Sequence, residues 1–488
     1  MSTEEYSLVP DDLGRPSGRL GAFFLLSAQW GKYGLQIVSV VILSRLVPPD
    51  EFGVVSLGLA VAGFAVVMGD LGLSLAALQA KTLSQAQRSN LFWINTLVGL
   101  VASAVVAGLA PLMADLFDEP RLVPVLLLVA PAFLLRSISV QLRVHLNRSG
   151  RLASLGLSEF LGDVCALIVA VVLAATGAGY TALALQGVVS ATITLFLAGY
   201  FAQWIPSLPK KSADMRSLLR FGGSTFGTHI VNYVSMNAAT LAIGKVYDSG
   251  VVGLYARGSQ LVSLPIEQLA SPLTRVVVPR LASLERTEDL EHTLRRYQVL
   301  LCYPLLGFIS LLAATAEPAV TAVLGAAWAD ASIYIRILSI GAIFQTLGYV
   351  YYWGFVARGR AGLLLVSETA GRVVMVGLVV LVVGLGPAYV AWAMTLGQFI
   401  IWVSGTTYFI PKIGLSSFRL TCSSLRAVLV FSAAFSATAI LDAVYLEQFS
   451  LIFRLAALCV TWLFVASFAC VLFARRDLKF LLDFALRR

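Results

Sequence analysis

Two stretches of the chain, 200 positions apart, indicate how it is built. Residues 43–58 read LSRLVPPDEFGVVSLG, and residues 243–258 read IGKVYDSGVVGLYARG. At this offset two glycines are identical, Gly53 with Gly253 and Gly58 with Gly258, and several other positions are alike in kind. Each stretch has the pattern of the end of one helix, a polar turn and the start of a second helix.

The composition around these stretches indicates a membrane protein. Of the 488 residues, 58% are hydrophobic and 12% are charged, and the mean hydropathy is +0.86. A soluble domain carries about 25% charged residues, so this chain has too little polar surface to coat a globule in water. The composition excludes a disordered chain, a disulfide scaffold, a coiled coil and almost any soluble enzyme. It favours an all-α integral membrane protein.

Apolar segments recur along the whole chain. A spanning helix needs about 20 mainly apolar residues, and fourteen segments meet this requirement. They are 21–46, 52–78, 91–114, 122–145, 153–175, 181–204, 218–243, 253–279, 298–316, 332–356, 363–384, 387–409, 425–444 and 453–473.

A central loop, WIPSLPKKSADMRSLLRFGG at 204–223, separates six of these segments from the other eight. The two glycine stretches run through the membrane in the same direction, which predicts two pseudo-symmetric helical lobes related by an axis along the membrane normal. Chance similarity in an apolar chain is the alternative. The predicted parts are an N-terminal tail (1–20), an N-terminal lobe (21–204), an inter-lobe loop (205–217), a C-terminal lobe (218–409), a further helix pair (425–473) and a basic amphipathic tail (474–488).

The distribution of positive charge predicts the orientation. Most of the 35 Lys and Arg residues lie in alternate loops and in the two tails, whereas the opposite loops hold Arg45, Arg121, Lys245 and Arg454. The positive-inside rule therefore places both termini in the cytoplasm. The net charge of +9 is explained by topology and needs no nucleic-acid partner.

Two segments show the pattern of interfacial helices. In RRDLKFLLDFALRR, 475–488, an apolar stripe is flanked by basic residues, as in helices that lie on an anionic inner leaflet. A solvated helical tail is the alternative. Residues 281–297 have a similar pattern, with leucines at 281, 284, 290 and 294.

No catalytic constellation is visible. The chain has no GxxxxGK[ST], HExxH or GxSxG motif and only three histidines. Its five cysteines form no CxxC pair and are typical of small apolar core residues. We therefore expect a protein that is not an enzyme and holds no metal or other cofactor.

Ionisable residues inside the predicted spans stand out instead. Each costs about 2.5–3.5 kcal/mol at the centre of a spanning helix, so most must pair, face a polar interior or lie near an interface. The set is Lys32, Asp70, Arg136, Glu159, Asp163, Arg257, Glu267, Arg275, Arg336, Glu368 and Arg372.

The spacing of the acidic residues along the helices predicts different roles for them. Glu368 and Arg372 are four residues apart and predict a structural ion pair on one helix face. Glu159 and Asp163 have the same spacing but like charge, which favours either a coupling-ion or proton site or a location near the cytoplasmic end of the helix. Asp70 and Glu267 are further candidates for an acidic, cavity-lining role.

The cationic members are the candidates for binding an anionic substrate. Lys32, Arg136 and Arg275 lie within their spans, and Arg275 shares its segment with Pro265 and Pro272, which predict a bent or broken helix. Arg257 follows an outer loop, as does Arg336, and for both the alternative is a side chain that reaches the membrane surface.

Three motifs resemble a known family. The outer turn SRLVPPDEFG, the segment DLGLS at 70–74, and GLYARGSQLVSLPIEQLASPLTRVVVPRL at 253–281 are similar to the Wzx-like polysaccharide transporter branch of the multidrug/oligosaccharidyl-lipid/polysaccharide exporter (MOP) superfamily. The loop VLGAAWADA at 323–331 is similar as well. Arg257 and Arg275 match basic positions of that pattern, whereas Lys32 has no motif match.

The resemblance implies two lobes around a central cavity, as in MATE transporters, and alternating access. It also implies a flippase for oligosaccharide linked to undecaprenyl diphosphate, used for exopolysaccharide or O-antigen synthesis in the bacterial inner membrane. Coupling to H⁺ or to Na⁺ stays open at this point. Expected partners are membrane lipids, a polymerase, and chain-length or export proteins. The alternatives are a cation-coupled multidrug antiporter of the same superfamily and a membrane polysaccharide polymerase.

Overall fold

A computed structural model describes the backbone of residues 6–7, 16–70, 77, 82–210, 215–284, 286–446 and 448–486. The described chain is almost entirely helical, which confirms the predicted all-α membrane class. The only strands in these residues are β1 (Tyr6–Ser7) and β2 (Thr82–Leu83), which pair antiparallel. The helices are α1 (Pro16–Leu46), α2 (Pro49–Asp70), α3 (Gln85–Phe117), α4 (Leu122–Arg148), α5 (Leu152–Ala175), α6 (Tyr180–Ala202), α7 (Arg216–Val246), α8 (Ser249–Ala282), α9 (Thr287–Ala314), α10 (Ala316–Val323), α11 (Ala331–Ala357), α12 (Ala361–Val382), α13 (Pro387–Ser404), α14 (Ser417–Leu441), α15 (Leu451–Phe473) and α16 (Arg475–Leu486).

Each of the fourteen predicted segments overlaps a long helix. Within the described residues, ten helices are long and apolar enough to cross a membrane. The chain is therefore a multi-pass membrane protein, and the count of fourteen crossings stays a prediction. The predicted tail helix is present as α16. Parts of the predicted N-terminal tail (1–5 and 8–15) and of the inter-lobe loop (211–214) lie outside the described residues.

The interfacial helix predicted at 281–297 is wrong. Helix α8 ends at Ala282, and α9 begins at Thr287 and continues unbroken to Ala314. Leu290 and Leu294 are buried, because they continue the face of α9 that packs against α11 and α14.

The described chain forms two compact units, Met1–Gly253 and Leu254–Arg488. In the first unit the helices pack in the order α3, α4, α6, α5, α1, each against the next. In the second unit α9 packs against α11, α11 against α13, and α13 against α12. The order α3, α4, α6, α5 corresponds to the order α9, α11, α13, α12, which supports the repeat inferred from the glycine stretches. The predicted lobe boundaries stay a prediction, since the contacts divide the chain elsewhere.

The two glycine stretches touch through their matching glycines. A Cβ atom added at Gly53 would collide with the backbone oxygen of Ser249, and one added at Gly253 would collide with that of Pro49. The starts of α2 and α8 therefore cross at backbone distance. The identity of these two positions in the sequence has a steric cause.

Arg121 fastens the same turns from the side. It lies between α3 and α4 and donates hydrogen bonds to Asp50 Oδ2 (3.1 Å), Glu119 Oε1 (2.8 Å) and Ser249 Oγ (2.9 Å). The hydrogen bond from the Arg121 guanidinium holds the pKa of Glu119 below its usual range, and the same bond raises the pKa of Arg121.

We expect Gly53→Ala to lower the melting temperature of the detergent-purified protein, because the added methyl group must displace backbone. Overpacking of this kind costs about 1–3 kcal/mol. Gly108→Ala is the matched control: Gly108 lies in α3 with open space around its Cα, so the same change should stabilise by about 0.5–1 kcal/mol. Equal melting temperatures for the two variants would contradict the close crossing.

Acid should weaken the turn that Arg121 holds. The pKa of Glu119 is lower in the folded protein than in the unfolded chain. Ionised Glu119 therefore contributes fully to the free energy of unfolding above its ordinary pKa of 4.5, and this contribution is lost as the pH falls through the lower, folded pKa. We expect the melting temperature to fall on acidification from pH 5 to about pH 3, and to fall less in Arg121→Gln. Arg360→Gln, at an exposed turn, should behave like the unaltered protein.

Candidate functional site

Five ionisable side chains of the first unit form the charge cluster: Lys32 of α1, Arg136 and Arg143 of α4, and Glu159 and Asp163 of α5. Lys32 Nζ lies 3.0 Å from Glu159 Oε2 and 3.6 Å from Asp163 Oδ2. Arg143 Nε donates to the other oxygen of Glu159 at 2.9 Å. Glu159 is therefore shared between two cations that come from different helices.

The sequence of α5 explains how the carboxylates reach these partners. Glu159 and Asp163 are four residues apart and lie on one helix face. Between them Gly162 lets α5 approach α6, since a Cβ there would press on the hydroxyl of Thr194 and the backbone of Ser190. Ser190 Oγ then donates to Asp163 Oδ1 at 2.8 Å. The two carboxylates are thus oriented by α1, α4 and α6 together.

Arg136 is the member of the cluster with the fewest contacts. It lies about 21 Å along the helix from the first residue of α4 and about 18 Å from the last, so it is near the middle of this predicted span. Its side chain is exposed, its Nη2 faces Gly187 of α6, and its charged neighbours are Asp163 and Arg143. Within the described part of the chain it makes no side-chain hydrogen bond or ion pair.

The charge cluster holds three cations and two carboxylates, so it carries an excess of one positive charge. Lys32 and Glu159 are partly buried, with 27% and 17% of their side chains exposed, and their charges neutralise each other. The excess charge therefore lies at Arg136, which is the group available to an incoming anion.

Arg257 has a different environment. It is buried in the second unit, where Nη1 donates to Gln260 Oε1 at 2.8 Å and the guanidinium lies 5.3 Å from the ring of buried Trp328. Trp328 belongs to the loop at 323–331, so Arg257 holds that loop against α8 through a cation–π contact. Its predicted role in substrate binding stays a prediction, and its contacts are structural.

Arg275 and Glu267 are exposed on α8, and neither forms an ion pair with a described residue. The prediction of a broken helix is wrong, because α8 runs continuously through Pro265 and Pro272. Each proline removes one backbone donor, and the remaining hydrogen bonds keep the helix intact. Substrate and cavity roles for Arg275 and Glu267 stay predictions.

The remaining candidates are accounted for individually. Arg372 Nη2 lies 3.0 Å from Glu368 Oε2 on α12, which is the pair that their spacing predicts. Arg336 is exposed on α11. Asp70 is the last residue of α2, and its side chain lies outside the described residues. In the described chain, no three His, Cys, Asp or Glu residues come together as a metal site.

Arg143 was not among the predicted site residues, because it lies near the end of segment 122–145, next to other basic residues. Helix α4 continues to Arg148, so Arg143 stands two turns after Arg136 on the same face. That spacing of seven was readable in the sequence. Ser190 was also missed, because a lone serine in an apolar segment gives no pattern.

The comparisons with known proteins agree with this fold. A family model described as "Polysaccharide biosynthesis protein" matches residues 42–333, which is more than half of the chain. The chain belongs to this polysaccharide biosynthesis family. The match begins just before the first glycine stretch and includes the second, and it confirms the resemblance drawn from the motifs.

Two curated members of this group are similar over part of their length. The lipopolysaccharide biosynthesis protein WzxC of Escherichia coli strain K12 is 25% identical over 324 residues, 64% of this chain and 65% of the relative. The succinoglycan biosynthesis transport protein ExoT of Rhizobium meliloti strain 1021 is 26% identical over 341 residues, 67% of each chain. The chain thus spans about two thirds of the relatives that it matches.

A solved structure shows the same fold across nearly the whole chain. The lipid II flippase MurJ, in an inward closed conformation, superposes with a TM-score of 0.70 at 16% identity, covering 94% of this chain and 100% of MurJ. At this identity the likeness establishes the fold, and the all-helical membrane architecture predicted from composition is confirmed.

The charge cluster predicts unequal costs for removing two carboxylates. Glu159→Ala removes the anion that the partly buried Lys32 and the more exposed Arg143 share, so we expect a loss of about 1–3 kcal/mol. Glu368→Ala opens a single pair within one helix and should cost about 0–1 kcal/mol. Thermal unfolding of the purified variants measures both. Equal losses would contradict the sharing of Glu159.

Proposed function

We propose that the chain is a translocase, not an enzyme, that moves an oligosaccharide linked to a polyprenyl diphosphate across the bacterial inner membrane by alternating access, with both termini in the cytoplasm. The observation that carries the proposal is the excess positive charge at Arg136, near the middle of α4. WzxC is a lipopolysaccharide biosynthesis protein and ExoT a succinoglycan biosynthesis transport protein, and both support the substrate class. The MOP-type fold supports the mode of transport.

The chemistry of such a substrate fits the charge cluster. A polyprenyl tail stays in lipid, whereas its diphosphate and sugars need a polar, cationic path. The guanidinium of Arg136 offers a planar fork of donors that matches phosphate oxygens. Lys32 and Arg143 are already held by Glu159, so an arriving diphosphate competes with that carboxylate for the same cations.

Asp163 is our candidate for coupling to H⁺ or Na⁺. It is the more exposed carboxylate of the cluster (37%, against 17% for Glu159), and it has a like-charged neighbour four residues away. Binding of a cation at Asp163 would weaken the contact of Asp163 with Lys32.

The translocated unit would then pass to a polymerase and to chain-length or export proteins, which we propose as partners.

A cation antiporter is disfavoured by the same observation, since an excess positive charge repels an organic cation.

We expect Arg136→Ala to reduce polymer export at least tenfold in a deletion strain that carries the variant, and to cause the lipid-linked intermediate to accumulate. Arg136→Lys keeps the charge but loses the fork, so it should retain partial export. Arg336→Ala, which removes an exposed arginine of α11 outside the cluster, is the matched control and should export normally. Membrane levels of each variant are measured by immunoblot. Export by Arg136→Ala at the unaltered rate would contradict the proposal.

A further inference from the structure

A second basic site lies within the second unit. Helices α9, α14 and α16 enclose a pocket of about 350 Å³, which we call the tail pocket. Its basic side chains are Arg295 and Arg296 of α9 and Arg426 of α14, and its floor includes Asp477 and Phe480 of α16. The volume is within the range of about 300–1,000 Å³ that is usual for small-ligand sites.

The acidic residue of the tail pocket is already engaged. Asp477 is buried, accepts a hydrogen bond from the hydroxyl of Tyr303 at 2.9 Å, and lies 3.5 Å from Arg426 Nη1. Arg296 stacks on Phe480, with its guanidinium carbon 4.8 Å from the ring centroid. These contacts fix α16 against the helices and leave the pocket with more positive than negative charge.

Arg295 gives the second, independent indication of a ligand. It lines the tail pocket, its Nε is buried, and it makes no side-chain hydrogen bond or ion pair with a described residue. Its charge is therefore not neutralised by a described carboxylate. An anion with several oxygens, placed between Arg295 and Arg296, would accept hydrogen bonds from the outer nitrogens of both guanidiniums.

The setting of the pocket indicates where that anion comes from. Helix α16 seats Phe480 and Leu481 on the protein core, while Leu482 and Phe484 are about half exposed. Such a short amphipathic helix next to a spanning helix is typical of the membrane surface. Basic pockets between helices on the cytoplasmic side are suited to anionic lipid headgroups.

We propose that the tail pocket binds the phosphate headgroup of an anionic phospholipid of the inner leaflet. The phosphate accepts hydrogen bonds from Arg295 and Arg296, and Arg426 contributes charge while it remains paired with Asp477. Bound lipid fastens α16 to α9 and α14. This site is separate from the proposed transport path, and it is tested by binding, so a failure here leaves the transport proposal untouched.

The test uses the full-length protein in uncharged detergent and monomeric dihexanoyl phosphatidylglycerol as the probe, with binding measured by calorimetry. We expect saturable binding, no binding of dihexanoyl phosphatidylcholine, and at least tenfold weaker binding by the double variant Arg295→Gln/Arg296→Gln. The control Arg280→Gln/Arg286→Gln removes the same charge at exposed positions outside the pocket and should bind normally. The single variant Arg295→Lys, which disturbs the fold less, should bind with intermediate affinity.

Three results would overturn the proposal. Equal binding by the Arg295→Gln/Arg296→Gln and control proteins would show that the pocket is not the site. Equal binding of the two lipids would show that the phosphate charge is not recognised. Displacement of the probe by inorganic phosphate at the same concentration would assign the pocket to a free phosphate and exclude the lipid.

Discussion

A charge inside a membrane must be neutralised by a partner, and this constraint shapes the first unit. Glu159 of α5 is held by Lys32 of α1 and by Arg143 of α4, so one carboxylate joins three helices. An ion pair that is withdrawn from water is rarely a net source of stability, because removing two charges from water costs about as much as their attraction returns. The presence of the charge cluster is better explained by the positive charge that its ion pairs do not neutralise. Arg136, near the middle of α4, is the positive group that these pairs leave over.

The starts of α2 and α8 are positioned chiefly by steric contact, with one charged side chain beside them. The starts of α2 and α8 cross at Gly53 and Gly253, where only hydrogen fits, and Arg121 fastens the adjoining turns. The packing order of helices then recurs in each unit. Steric contact at the repeated turns thus defines the scaffold, and ion pairs deeper in the helices define its chemistry. Substitutions at the two places should therefore separate folding from transport.

The fold was largely predictable from the sequence, and the site was predictable only in part. Membrane insertion imposes long apolar segments, so each segment that hydropathy identified corresponds to a helix. The leucines of 281–297 misled the prediction, because an amphipathic stripe looks the same whether it faces lipid or another helix. Only the burial of the leucines distinguishes a helix that faces lipid from one that packs on another helix. That burial depends on α11 and α14, which lie far away in the sequence.

Individual charges were harder to place for a similar reason. Spacing within one helix predicts the pair of Glu368 and Arg372, since both partners are local. The contact between Lys32 and Glu159 joins residues more than 100 positions apart, and no local pattern reports it. For Arg257 the motif predicts a ligand-binding residue, and the structure adds a contact with Trp328 that no local pattern reports. Sequence patterns identify which residues are unusual, and tertiary contacts determine what each of them does.

The central claim is that the charge cluster binds a lipid-linked diphosphate through Arg136. The most direct measurement is the affinity of the purified protein for undecaprenyl diphosphate, compared between the unaltered protein, Arg136→Ala and Arg336→Ala. We expect at least tenfold weaker binding for Arg136→Ala, which corresponds to about 1.4 kcal/mol, and no change for Arg336→Ala. Equal affinities for all three proteins would contradict it.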